Sequence, residues 1–327
     1  MKIQEFRDKI RAADRAALEK IASDLYRRIP RKTKEEDLDE AIEAMLRGGD
    51  APKASARNAA MPFPELEREI QTFLSHVDAN YYFEPNKVVP KAQRSKWCFT
   101  VMRFLKQLDA IPADDENAEA AARLYLQIYN RLTYACGYYI FPTEDPFRAI
   151  GRQQTDFYPI MAAKYFATGF TDEKILDMLR AATCTMLDRE SLHCELEKAF
   201  IKELRTRDMR ERAYALAKAE ALRIETKESP KSRRAHEDYD TLEKIREISC
   251  TVLGLGIALY EEDDAIRFFM EHHWERNPEV KLYVALDCIK YFGGAKDFWL
   301  KTYEKAVGQG IQPRDRLRQE YERRKKA

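Results

Sequence analysis

Basic and aromatic side chains are concentrated in one segment of this 327-residue chain, between Tyr81 and Leu108. From Asn86 to Lys106 the segment holds six basic residues and no acidic residue. Pro90 predicts a helix start, because proline fits the first helical turn. Basic groups and unpaired amides at a helix start suit a phosphate or a carboxylate, and aromatic rings stack on bases. The candidate anion- or nucleic-acid-binding residues are Tyr81, Tyr82, Asn86, Lys87, Lys91, Arg94, Lys96 and Trp97.

An internal role for the same charges stays open. The acidic residues Asp109, Asp114, Asp115, Glu116 and Glu119 follow the basic segment directly, and they could neutralise it within the fold. The two interpretations differ in one observable, because binding to phosphates by lysine and arginine weakens steeply with salt.

A second candidate site lies in the segment from Leu187 to Phe200. On a helix, Glu190, His193 and Glu197 would share one face, and Glu-x-x-His is the ligand pair of carboxylate-bridged di-metal proteins. The sequence holds no second pair of this kind, so a metal-dependent enzyme would need ligands from elsewhere. The candidates for those further ligands are His236, Asp238 and Asp240. The alternative is a solvated charged helix face, and the sequence assigns no cofactor.

Motifs of the common catalytic scaffolds are absent from the sequence. It contains no GxxxxGK, no HExxH, no GxSxG and no GxGxxG after a strand. The six cysteines form no CxxC, and their smallest spacing is ten residues, from Cys184 to Cys194. This pattern favours free thiols in a reducing compartment over a zinc site or a disulfide framework. No catalytic residue is assigned.

Charge and hydropathy restrict the class of protein further. The chain has 57 basic and 56 acidic residues, a net charge of +1, which excludes a uniformly basic nucleic-acid binder. No apolar run approaches the roughly 18 residues of a membrane span, and the first residues show no apolar core of a secretory signal. We therefore expect a soluble cytoplasmic protein without a membrane partner.

The elements that must position these residues are predicted to be helices. The chain holds 40 alanines, 8 valines and 11 glycines, a composition that favours helices over pleated strands and tight turns. Apolar residues recur every three or four positions, which is the period of a helix that packs on one face. The clearest stripes are Trp97/Val101/Phe104/Leu108, Ala121/Tyr125/Ile128/Leu132 and Ile245/Ile248/Val252/Leu255/Leu259.

The predicted organisation is an N-terminal three-helix bundle over residues 1–47, a linker over 48–64, and helical hairpins over 65–327. Asp14 is placed to cap the second short helix, and Thr33 with Glu36 forms a capping box for the third. A weak repeat of 32 residues relates Tyr260 to Phe292. We therefore predict an all-α protein with a solenoid-like helical-hairpin array, similar to tetratricopeptide and HEAT arrays in architecture only.

Such an array presents a concave surface that is normally used for binding. The sequence therefore favours a non-catalytic cytoplasmic interaction or scaffold protein with a protein or peptide partner. Nucleic-acid or phosphate binding through residues 86–106 is the first alternative, and a metal-dependent enzyme that uses Glu190 and His193 is the second.

Overall fold

The computed structural model describes residues 5, 9–11, 13–28, 39–47, 61–227 and 239–326. Every regular element in these residues is a helix, which confirms the all-α prediction. The chain forms two compact units, Met1–Ala60 and Met61–Ala327. The predicted capping box at Thr33 and Glu36 and residues 48–60 of the predicted linker lie outside the described residues.

The first unit contains two helices with defined bounds, α1 (Arg15–Arg28) and α2 (Asp39–Leu46). The Asp14 carboxylate accepts a hydrogen bond of 2.7 Å from the backbone N–H of Ala17. This bond satisfies one of the amides that the first helical turn leaves unpaired, so the predicted cap at Asp14 is confirmed.

In its described residues, 61–227 and 239–326, the second unit is built from helices joined by short connections. Its first seven helices are α3 (Phe63–Asp78), α4 (Lys91–Arg94), α5 (Trp97–Asp109), α6 (Ala118–Gly137), α7 (Pro146–Ala149), α8 (Gln154–Ala167) and α9 (Asp172–Thr183). The next seven are α10 (His193–Glu203), α11 (Arg207–Lys227), α12 (Tyr239–Leu259), α13 (Glu262–His272), α14 (Pro278–Tyr291), α15 (Lys296–Gly308) and α16 (Asp315–Lys326).

The three apolar stripes of the sequence lie in the core of this unit. All their residues are buried, on α5, α6 and α12 respectively. Apolar side chains spaced by three and four residues meet on one side of a helix, and burying that side against neighbours stabilises the fold. The predicted stripes are therefore confirmed as packing surfaces.

Helix α12 joins two apolar clusters of the unit. Ile248 and Val252 belong to the larger cluster, which includes residues of α3 and of α5 to α11, while Leu253 and Ile257 belong to the cluster formed with α13 to α16. The helix contacts α9, α10, α11, α13 and α14. In a linear array each repeat contacts only its neighbours. The central position of α12 is typical of a bundle, and the linear hairpin array stays a prediction.

Close packing around α12 depends on a glycine. A Cβ atom at Gly254 would lie 2.8 Å from Ile201 Cδ1 and 2.9 Å from Phe292 Cδ1. These distances are shorter than carbon contacts allow, so glycine lets α12 approach both its neighbours.

None of the helices in the described residues combines the length and the hydrophobicity that crossing a lipid bilayer requires.

Candidate binding groove

A groove runs along one side of the second unit and consists of three adjoining hollows. The central hollow, of about 670 Å³, lies between α6, α9 and the start of α12. A cationic hollow of about 560 Å³ shares Arg180 and Lys244 with it. An aromatic hollow of about 600 Å³ shares Asn130, Tyr134 and Tyr138 with it. Each volume is in the range of ligand-binding clefts in proteins.

The wall of the central hollow is a loop, residues 184–192, that a buried hydrogen-bond network holds in place. Gln154 is fully buried, and its side chain donates hydrogen bonds to the Tyr129 hydroxyl and to the Met186 carbonyl. Its side-chain oxygen accepts from the backbone N–H of Asp188. The Asp188 carboxylate in turn accepts from the backbone N–H of Ser191. Because these groups are shielded from water, breaking any one of the bonds costs the desolvation of its partner.

The same loop approaches the end of α6 at a glycine. A Cβ atom at Gly137 would lie 1.8 Å from the Met186 sulfur, so only glycine allows this approach with Met186 in its present position. The contact places the loop beside Tyr134 and Tyr138, and it closes one side of the central hollow.

Exposed aromatic rings line the other end of the groove. Tyr134 and Tyr138 stack with ring centroids 4.4 Å apart, and each remains about half exposed (50% and 48%). Tyr139 and Phe83 stack at 5.7 Å and are also exposed. Stacked rings offer a rigid apolar surface, and tyrosine adds a hydroxyl that forms hydrogen bonds. Exposed aromatic clusters of this kind are typical of interaction sites.

The cationic hollow is organised around a buried carboxylate. Arg180 donates from Nε to the Glu220 carboxylate at 2.8 Å, and Arg223 donates to the same carboxylate at 2.5 and 2.7 Å. Hydrogen bonds from Arg223 and Arg180 outweigh the burial of Glu220 and lower its pKa to about 2. Glu220 therefore stays ionised at neutral pH and fixes both guanidinium groups.

A cysteine and a histidine, Cys184 and His193, also border the groove. Burial raises the pKa of the Cys184 thiol, which keeps it in the protonated form that is a poor nucleophile. His193 Nδ1 lies 3.2 Å from the Ala182 carbonyl oxygen, so this ring nitrogen is engaged with the backbone. The Cys184 sulfur lies 3.4 Å from the Thr183 hydroxyl oxygen, so both side chains are engaged with groups of the neighbouring helix α9.

The aromatic members of the basic segment serve the fold. Trp97 is buried and stacks on Phe141 at 3.9 Å, and Tyr82 is buried against Phe73 at 5.0 Å. Tyr81 is half-buried beside His76. Rings that are buried in the core cannot stack on a base, so Tyr82 and Trp97 do not form the binding platform that the sequence suggested.

The polar members of that segment divide into two groups. Asn86 donates to the Tyr81 carbonyl and accepts from two backbone amides, and Arg94 donates to the Glu84 carbonyl, so both hold the local turn. The second group is Lys87, Lys91 and Lys96. These three lysines are exposed, and within the described residues they form no ion pair.

The three residues of the predicted metal site have different surroundings. Helix α10 begins at His193, so Glu190 lies in the preceding loop, where its carboxylate accepts a hydrogen bond from Gln153. Glu197 is buried and faces Glu247. In the part of the chain that the structure describes, no three His, Cys, Asp or Glu side chains are placed to hold a metal ion. His236, Asp238 and the side chain of Asp240 lie outside this part.

Four groove residues that the sequence analysis did not single out are Tyr134, Tyr138, Arg180 and Lys244. They come from α6, the residue after it, α9 and α12, and no local motif connects them. The one available signal was Tyr138-Tyr139 after the apolar stripe of α6, where the helix ends. No protein-family model, curated protein or solved structure matches the chain.

Proposed function

We propose that the chain is a non-catalytic interaction protein that binds an extended segment of a partner protein along the groove. In this proposal the helical-hairpin array predicted from the sequence supplies the concave surface. The observation that carries the proposal is the stacked pair Tyr134 and Tyr138, which is half exposed and borders two adjoining hollows. Aromatic anchors beside a hollow are the residues that contribute most to protein–protein affinity.

The composition of the groove supports a peptide more than a small metabolite. Asn130 is exposed beside the tyrosines, and its side-chain amide can bind a peptide backbone. The three hollows follow one another, which suits an extended chain. All six cysteines are free thiols, as expected of a protein that acts in a reducing cytoplasm.

Selection of displayed peptides against the 327-residue chain tests this proposal. We expect display to select peptides whose affinity falls at least tenfold in Tyr134→Ala and Tyr138→Ala, because truncating an aromatic anchor costs about 2 kcal/mol or more. Phe99→Ala is the matched control, since Phe99 is 66% exposed and lies outside the three hollows. Selected peptides that bind both tyrosine variants as tightly as the wild type would refute the groove as the binding site.

A second candidate is nucleic-acid or phosphate binding through Lys87, Lys91 and Lys96, which are exposed. If all three lysines contact phosphates of a single strand, the logarithm of affinity should fall with the logarithm of salt with a slope of about −2. Fluorescence anisotropy with a labelled single-stranded oligonucleotide measures this slope, and a triple lysine-to-alanine variant should abolish it. Binding without a salt slope would exclude this candidate.

A further inference from the structure

The cationic hollow carries more positive than negative charge. Arg180, Arg223 and Lys244 line it together with a single acid, Glu220. Glu220 is 3% exposed and ionised, and its charge offsets that of one arginine. Two positive charges therefore remain at this end of the groove.

Arg180, which lines both the cationic and the central hollow, is already oriented by a hydrogen bond. Arg180 uses Nε to bind Glu220, and its side chain remains 43% exposed. The two Nη groups make no hydrogen bond within the described residues. A guanidinium group that is already oriented loses less conformational freedom when it binds an anion.

Lys244 supplies a further positive charge to the cationic hollow. It lines the central and the cationic hollow, and in the described part of the chain its ammonium group has no ion-pair partner. Lys244 and Arg180 both lower the pKa of Cys184, whose principal shift comes from burial, so the two cations lie near the same thiol.

The central hollow does not share the preference of the cationic hollow for an anion. Asp177 and Glu243 line the central hollow, and the Asp177 carboxylate accepts a hydrogen bond of 2.8 Å from Tyr165. These two acids offset the charges of Arg180 and Lys244, which line the same hollow, so the central hollow does not favour an anion as the cationic hollow does. The charge distribution therefore favours a segment that is acidic at one end, neutral in the middle and aromatic or apolar beside the tyrosines.

We propose that the groove binds a partner segment through a carboxylate or phosphate group seated between Arg180, Arg223 and Lys244. This inference rests on the proposed function, because it specifies the chemistry of the segment that the groove accepts. The two Nη groups of Arg180, which Glu220 orients, and the ammonium group of Lys244 can donate hydrogen bonds to the oxygens of either anion. The anion gives direction to the segment, since only one end of the groove is cationic.

The test uses fluorescein-labelled heptapeptides and the 327-residue chain. Each peptide has an N-terminal tryptophan and a Gly-Ser spacer, and they differ at the C-terminal end, which carries two glutamates, two glutamines or a phosphoserine. Fluorescence anisotropy at low salt should give at least tenfold tighter binding for the diglutamate or the phosphoserine peptide than for the diglutamine peptide. Comparing the diglutamate peptide with the phosphoserine peptide identifies which anion binds more tightly.

Lys244→Ala should remove the preference for the acidic peptides, and Lys244→Arg should retain it. Lys296→Ala is the matched control, because Lys296 is an exposed lysine outside the three hollows, and it should change nothing. Circular dichroism melting checks that each variant is folded. Equal affinity for the acidic and neutral peptides, or an acidic preference that survives in Lys244→Ala, would overturn the inference.

Other outcomes separate this inference from the proposed function. If peptides bind through Tyr134 and Tyr138 with no preference for acid, the proposed function stands and the inference fails. If neither the heptapeptides nor the displayed peptides bind, both fail. A single-stranded oligonucleotide whose binding depends on Lys244 would also overturn the inference, because the occupant would then be a nucleic acid.

Discussion

Replacing Glu197 by glutamine should stabilise the protein, and increasingly so as the pH rises. Glu197 is 1% exposed, and neither of its carboxyl oxygens has a hydrogen-bond partner in the described residues. Burial, and next the negative charge of Glu247, raise the pKa of Glu197 well above its ordinary value. A buried carboxylate without partners is so costly that the folded protein keeps this group protonated.

The sign of the pH effect follows from proton linkage. In the unfolded chain a glutamate loses its proton near pH 4.3, while in the folded protein Glu197 retains it to a higher pH. Between these two pKa values the folded state binds more protons, so its stability falls by about 1.4 kcal/mol for each pH unit. Because glutamine does not titrate, the free energy of unfolding of E197Q lacks this fall with rising pH.

Urea unfolding at pH 5, 6, 7 and 8 measures the difference. We expect the free energies of unfolding of E197Q and the wild type to diverge by about 1.4 kcal/mol per pH unit until Glu197 ionises in the folded state. E116Q is the matched control, because Glu116 is exposed in the connection before α6, and its curve should parallel the wild type. Parallel curves for E197Q and the wild type would show that Glu197 is ionised in the fold, and would refute the reasoning.

The remaining predictions concern packing and the groove wall. Gln154→Ala removes three buried side-chain hydrogen bonds, so it should lower the free energy of unfolding by about 3 kcal/mol or more and weaken peptide binding in the groove. Gly254→Ala should cost about 1–3 kcal/mol through overcrowding, whereas Gly308→Ala, where a Cβ meets nothing within 4 Å, should be neutral or stabilising. Trp97→Ala should cost about 3–5 kcal/mol, and Lys96→Ala less than about 0.5 kcal/mol. Urea titration checks all three, and equal effects within the glycine pair or within the Trp97 pair would contradict the packing described.

Helical periodicity gave reliable predictions because burial acts on each helix locally. The stripe that begins at Trp97 is buried along its whole length, and the cap at Asp14 forms as the sequence indicates. Pro112, Gly169 and Asn277, which are residue types that interrupt helices, all lie between helices. These features depend on residues only a few positions apart, so the sequence contains the information that they require.

In the basic segment, the local sequence pattern was insufficient to predict which side chains are exposed. Six positive charges beside three aromatic residues suggested one surface, but Tyr82 and Trp97 pack inward while Lys87, Lys91 and Lys96 face the solvent. Which aromatic ring is exposed depends on the neighbouring helices, and Phe141, against which Trp97 stacks, is contributed by a later part of the chain.

The sequence by itself determined that this protein is helical and which face of its major helices is buried, since the spacing of apolar residues in the chain sets both. It also indicated that no common catalytic motif is present. Only the tertiary structure decided where the groove lies, because it is formed by residues of α6, α9, α11 and α12. Residues as distant in the chain as Tyr134 and Lys244 become neighbours through packing of the whole unit, and that packing leaves no signature in the local sequence pattern.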